Sequence, residues 1–359
     1  MKEKITETEF LYKLYDTKLI YRQVPYYMRK FPILIQPGAR KIIYTTDEND
    51  YEIILFDLFT NNKWKIGEHE DSFISLSQSI DGNKLMSYTV DGVIKLWEIS
   101  KKNLIYSFKI DDYKFEYLDQ YFDYSEYYNY PDYYLKISPD SSYFICFNDK
   151  FEHGRFEIWD LENKNISRFI DLDCSMWDFK ISLDSKRIAY LTNENSIHIV
   201  DLNLSVKEIK FRLFRDDENI NDFLFYNNDK ILVVHSGKII QEFDINGGKE
   251  INMHDFSTII VKNEETYIYN VSNIFDESKI AIVFGGLSIE SGYELMIYDL
   301  GEKVPLKRFE IVDNESKSGK IKQICVSPEG DIILAYFDYD FDNDAIKIWV
   351  DVNKFHMIE

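Results

Sequence analysis

The stretch from His69 to Glu98, HEDSFISLSQSIDGNKLMSYTVDGVIKLWE, decides the fold class of this chain. Its apolar residues fall in short alternating runs, FISLS, KLMSYT and VIKLW, separated by the turn signals IDG and VDG. Alternation sends successive side chains to opposite faces of an extended backbone, and Asp-Gly supplies a tight reversal. The stretch predicts three antiparallel strands. Residues Asn103 to Ile110, NLIYSFKI, predict a fourth beside them, so the unit is a four-stranded sheet.

Working outward from this unit, the same order of parts recurs along the chain: an apolar strand, a turn with Pro, Asp or Gly, a second apolar strand, a polar turn, and a third strand closing on an aromatic or apolar residue and an acid. The closing pairs are Phe56 with Asp57, Trp97 with Glu98, Trp159 with Asp160, Val200 with Asp201, Phe243 with Asp244, Tyr298 with Asp299, and Trp349 with Asp351 one residue further on. Their spacings of 41, 62, 41, 43, 55 and 51 residues give a base period of 41 to 43 and place insertions in the longer intervals. The largest insertion spans residues near 111–133.

On these residues the chain resembles the WD-repeat family of β-propellers. The resemblance implies an all-β fold, a seven-bladed β-propeller of four-stranded antiparallel blades over 31–359. In the best copy Glu98 stands where the family has Asp after Trp97, and Glu68-His69 stands where it has Gly-His. The resemblance also implies that His69, Thr89, Asp91 and Trp97 form a buried hydrogen-bonded network tying loop, second strand, turn and third strand together. The other copies lack that His. Leu19-Ile20-Tyr21 repeats the Leu104-Ile105-Tyr106 of the best copy's fourth strand. Residues near Thr17 to Arg22, within an N-terminal segment 1–30, are therefore expected to close the ring as the outer strand of the last blade, Lys354 to Ile358 being the competing choice.

Composition narrows the function classes. Hydrophobic residues make up 45% of the 359 and aromatics 16%, enough for a large core, while the net charge of −21 repels nucleic acid and anionic membrane surfaces. No apolar run long enough for a signal peptide or a membrane span is present, so a cytoplasmic protein is expected, a nuclear one being compatible. Cys146, Cys174 and Cys325 form no CxxC pair, and their spacing offers neither a disulfide framework nor a zinc motif.

In the propeller implied by the resemblance, turns between second and third strands gather with the blade connections on one face, where partners dock. That face is expected to be acidic: Asp47, Glu48, Asp50, Asp91, Asp149, Glu152, Glu194, Glu290, Asp338, Asp340, Asp342 and Asp344 fall in such turns, and Glu68, Glu70, Asp71, Asp173, Asp216, Asp217 and Glu218 in the connections. The opposite turns mix Asp81, Asp140, Asp184 and Asp229 with Lys84, Lys186, Arg187 and Lys230. Such an asymmetry favours a protein or basic peptide partner, encountered faster at low salt. The insertion adds Tyr113, Tyr117, Tyr121, Tyr124, Tyr127 and Tyr128, amphipathic rings suited to an Arg- or Lys-bearing partner.

Catalytic motifs are not found: there is no GxSxG, HExxH, P-loop or strand-borne GxGxxG, and no His spacing suggests a triad. The run DYDFDND at Asp338 to Asp344 fails as a calcium loop because Ala345 stands where Gly is needed and no Glu follows at the bidentate position. The expectation is a non-catalytic interaction scaffold without cofactor or metal, free to serve as a subunit of a larger complex. A metal-dependent β-propeller enzyme, hydrolase or lactonase-like, is the alternative.

Overall fold

The second strand of each repeat is apolar at nearly every position, as in KLMSYT, YFICF, RIAYL and KILVV, a pattern that calls for burial on both faces. In the computed structural model these runs occupy the interior of seven four-stranded sheets. The structure describes residues 15–17, 33–38, 41–46, 51–58, 60, 62–71, 73–89, 91–109, 135–148, 153–202, 209–210, 219–257, 266–273, 279–286, 293–311, 320–327, 332–338 and 345–350. All regular elements among them are strands, so no helix there is long and apolar enough to cross a membrane.

Six sheets are meanders in which consecutive strands pair antiparallel, numbered I to VI here by chain order. Sheet II comprises Phe73–Gln78, Lys84–Thr89, Val93–Glu98 and Asn103–Lys109, the strands expected from the best copy. In sheet VII the order is Lys320–Val326, Ile332–Asp338, Ala345–Val350 and then Tyr15–Thr17, whose Tyr15 lies opposite Ile348 and Thr17 opposite Ile346. Of the expected closing segment 17–22 only Thr17 is among the described residues, and 354–358 lie outside them.

The sheets repeat in their irregularities as well as their order. A register shift sits just before the closing aromatic in sheets II, III, V and VI, at Leu96/Trp97, Ile158/Trp159, Glu242/Phe243 and Ile297/Tyr298. Another sits in the first strand of sheets II, IV, V, VI and VII, as at Phe73/Ser75 and Met176/Asp178. Each extra residue steepens the local twist, so a common twist is written at the same places in successive units.

The closing acids have a local cause. Asp57 accepts from the Thr60 N–H at 3.0 Å, Asp160 from Glu162 and Asn163 at 2.9 and 2.7 Å, Asp244 from Gly247 at 2.6 Å, and Asp299 from Gly301 and Glu302 at 2.9 and 3.0 Å. In each the carboxylate satisfies backbone donors of the turn into the fourth strand. Glu98 is one methylene longer and instead pairs with Lys101 at 2.9 Å, while Asn83 accepts from the Ser100 N–H at 3.1 Å.

The core lies between sheets. Ile43, Ile53 and Leu55 of sheet I pack with Leu76, Leu85 and Trp97 of sheet II. Met86, Tyr88 and Ile94 on the other face of sheet II pack with Leu135, Ile137 and Phe144 of sheet III. The same relation joins sheets III and IV, IV and V, and V and VI. One sheet alone would leave both apolar faces wet; stacking buries them at about 25 cal/mol per Å².

First strands form the inner contacts between units. Gln78 Nε2 donates to the Ile35 carbonyl at 2.6 Å, Ile137 N–H to Ser77 Oγ at 3.0 Å, and Asn221 Nδ2 to the Ile268 carbonyl at 3.3 Å. Lys136 pairs with Asp178 at 3.2 Å, and Lys180 with Asp222 at 2.5 Å. Lys320–Val326 of sheet VII packs against the first strands of both sheet VI and sheet I.

Candidate interaction face and its buried polar networks

His69 follows the last strand of sheet I, Lys63–Glu68, and its N–H donates to the Tyr51 carbonyl at 3.0 Å. Its buried ring points into sheet II. Trp97 Nε1 donates to Ser87 Oγ at 2.8 Å, Ser87 Oγ lies 2.7 Å from His69 Nε2, Thr89 Oγ1 lies 3.2 Å from His69 Nδ1, and Thr89 donates to Asp91 Oδ1 at 2.7 Å. A carboxylate can only accept, so the Thr89 hydroxyl hydrogen goes to Asp91 and Thr89 accepts from His69 Nδ1–H; in a neutral ring Nε2 is then the acceptor for Ser87. Burial first, and then the Lys95 ammonium, depress the His69 imidazole to about 3, so the ring is neutral at pH 7 and Nε2 is free to accept.

His69, Thr89, Asp91 and Trp97 are thus brought together, but through Ser87, which the sequence reading left out. Ser87 lies on the same strand as Thr89, two residues away and therefore on the same face. In sheets I, III, IV and V the last residue of the second strand is again buried and polar, at Thr45, Asn148, Thr192 and His235. Asn148, Thr192 and His235 find different partners. Asn148 Nδ2 donates to Glu157 Oε1 at 2.9 Å; Thr192 Oγ1 is 2.8 Å from Ser196 Oγ; His235 Nε2 is 2.6 Å from Gln241 Oε1, whose Nε2 donates to Glu250 at 2.8 Å.

Between sheets V and VI lies a buried ionic group. Glu242 receives Lys230 Nζ at 2.6 Å and Asn252 Nδ2 at 3.0 Å, with His254 Nε2 4.0 Å away. The His254 ring, together with Lys230 and Asn252, outweighs burial and holds the Glu242 carboxyl down to about 2. A depressed carboxyl stabilises the fold above its ordinary value of 4.5, and that contribution is lost as pH falls towards 2. Glu242→Gln is expected to cost about 2 kcal/mol at pH 7 and to flatten the acid limb of a stability–pH curve between those values. Urea titrations across that range check it; an unchanged acid limb would remove Glu242 from the account.

The two ends of the sheets use their acids differently. In the turns between first and second strands, Asp81 accepts from Ser79 Oγ and from the Asn83 N–H, Asp140 from Ser138 and Ser142, and Asp184 from Ser182 and the Lys186 N–H. The Ser79 hydroxyl and the Asn83 N–H hold Asp81 below the usual carboxylate range. These carboxylates are committed to their own turns. At the opposite end, Glu70 and Asp173 in the connections and Glu194 in the turn before Ile197–Asp201 are exposed. Asp91, in the sheet II turn, is half-buried and belongs to the His69 network. Asp338 ends the second strand of sheet VII opposite Lys320. Asp47, Glu48, Asp50, Asp149, Glu152, Glu290, Asp340, Asp342, Asp344 and the six tyrosines from Tyr113 to Tyr128 lie outside the described residues.

The seven twisted four-stranded antiparallel sheets, with cores between them and the His–Ser–Trp and Thr–Asp bonds of sheet II, define a WD-repeat-like β-propeller fold. Among solved structures the chain is similar to the crystal structure of the C-terminal WD40 domain of Sif2, with 12% identity and a TM-score of 0.55 over 88% of this chain and 80% of that one. No protein-family model and no curated protein matches the sequence.

Proposed function

We propose that the chain is a non-catalytic, seven-bladed propeller, its ring closed by the N-terminal strand, that holds a protein or basic peptide partner on the face bearing the connections and the second-to-third-strand turns. The contacts of sheet VII with sheets VI and I, and the pairing of Tyr15–Thr17 with Ala345–Val350, support the closed ring. The observation that carries the binding reading is the unequal use of acids. Asp81, Asp140 and Asp184 are occupied by turn donors at one end, whereas Glu70 and Glu194 project from the other in a chain of net charge −21. Exposed carboxylates on one face attract a cationic segment and accelerate its docking. The tyrosines of the 111–133 insertion belong to the same proposal as aromatic contact area.

A fluorescent Lys/Arg-rich peptide titrated at low and high salt tests it. The double substitution Glu70→Lys and Glu194→Lys is expected to weaken low-salt binding about fivefold or more. Glu302→Lys, at an exposed position on the other end, is expected to leave it nearly unchanged. Equal losses from both would assign the attraction to overall charge instead of to this face.

A further inference from the structure

The connection entering sheet IV and the interior of that sheet bring together a carboxylate, a thiol and an imidazole that no spacing in the sequence joins. Asp173 and Cys174 lie in the connection, Asp173 exposed and Cys174 buried; His198 is on the third strand, Ile197–Asp201, and is 1% exposed. Cys174 Sγ stands 3.4 Å from Asp173 Oδ1 and 3.9 Å from His198 Nδ1, and His198 Nδ1 is 3.8 Å from Asp173 Oδ1. All three ligand atoms lie within 4.8 Å of one another.

Both the thiol and the carboxylate face the same ring nitrogen. A catalytic Cys–His–acid arrangement needs them on opposite nitrogens, one activated by the base and the other orienting it, so this geometry does not suit nucleophilic catalysis. It suits a shared cation. Ligand atoms about 2.0–2.3 Å from a tetrahedral zinc ion stand about 3.3–3.6 Å from each other, within a few tenths of an ångström of the separations here. The other ring nitrogen, Nε2, is 3.0 Å from Ser196 Oγ, which is 2.8 Å from Thr192 Oγ1. A hydroxyl accepting from Nε2–H leaves the Nδ1 lone pair directed at Cys174 and Asp173, the tautomer and outer support that a metal-bound imidazole needs. The Tyr190 hydroxyl, 3.2 Å from Nδ1, holds that lone pair when no ion is bound.

We propose that Asp173, Cys174 and His198 bind a zinc ion, which fastens the connection entering sheet IV to the third strand of that sheet. Thiolate and imidazole select zinc over magnesium or calcium, and three protein ligands leave one position for water. On binding, the Cys174 S–H bond is exchanged for an S–Zn bond and the proton passes to solvent. The ion would occupy, in sheet IV, the fastening role that the His69 hydrogen bonds perform in sheet II. This site does not depend on the scaffold reading above.

The test is titration of the chelator-treated full chain with Co²⁺, followed by displacement with Zn²⁺. One equivalent is expected to bind with thiolate-to-cobalt charge-transfer absorption and the intense visible bands of tetrahedral cobalt, both removed by zinc. Cys174→Ser should abolish the charge-transfer band, and Cys146→Ser should retain it. Asp173→Asn, at an exposed position that does not threaten folding, should weaken binding at least about tenfold. Absence of the thiolate band, its survival in Cys174→Ser, or unchanged affinity in Asp173→Asn would overturn the assignment.

Discussion

Replacing His69 with Ala is expected to lower stability by about 4 kcal/mol at pH 7.5, the sum of a small cavity and several buried polar groups left without partners. Ser87 loses its acceptor and Thr89 its donor, and both are fully buried. The imidazole value is depressed from the ordinary 6.5 to about 3 in the fold. Below pH 6.5 the unfolded chain therefore takes up a proton that the folded chain refuses, and the contribution of His69 is lost progressively as pH falls to about 3. At pH 5 roughly 2 kcal/mol of it should be gone, at about 1.4 kcal/mol per pH unit. Urea unfolding of wild type and His69→Ala at pH 7.5 and pH 5 should show the gap between them halving. A gap that does not change with pH would refute the neutral ring and with it the direction of the hydrogen bonds.

Gly67→Ala is expected to be nearly as damaging, by about 3 kcal/mol, for a steric reason. A Cβ at Gly67 would stand 2.1 Å from Cζ3 and 2.2 Å from Cη2 of Trp97. The indole has nowhere to retreat. Its Nε1 is tied to Ser87, the ring packs in the core between sheets I and II, and His69 lies edge-on with centroids 6.2 Å apart. Combining Gly67→Ala with Trp97→Phe should cost less than the sum of the two, since the smaller ring vacates the contested space. Strict additivity in a double-mutant cycle would show that the close approach of Gly67 to the indole is not what makes the glycine necessary.

Much of the fold was legible because its signals are local. Each expected closing residue, from Phe56 to Trp349, lies at the end of a third strand, and Asp57, Glu98, Asp160, Asp244 and Asp299 bond within a few residues of themselves, whereas Asp201 pairs with Arg187 on the neighbouring strand. His69 was legible by resemblance. Ser87 was not, because a serine in a strand gives no sign of whether it meets solvent or an indole. The acidic turns were legible as composition, but only the structure distinguishes Asp81, held by Ser79 and Asn83, from Glu194, exposed at the far end.

Alternating apolar runs and Asp-Gly turns determined, from the sequence alone, that the chain forms repeated antiparallel sheets, since side-chain period and turn chemistry are properties of a few adjacent residues. The tertiary structure decided which buried polar groups meet. Cys174 and His198 are 24 residues apart, and their approach depends on how the connection folds over the paired strands, as does the choice of Thr–His in sheet II and His–Gln in sheet V. Local patterns fix the strands, whereas register and the packing of one sheet on the next fix the partners.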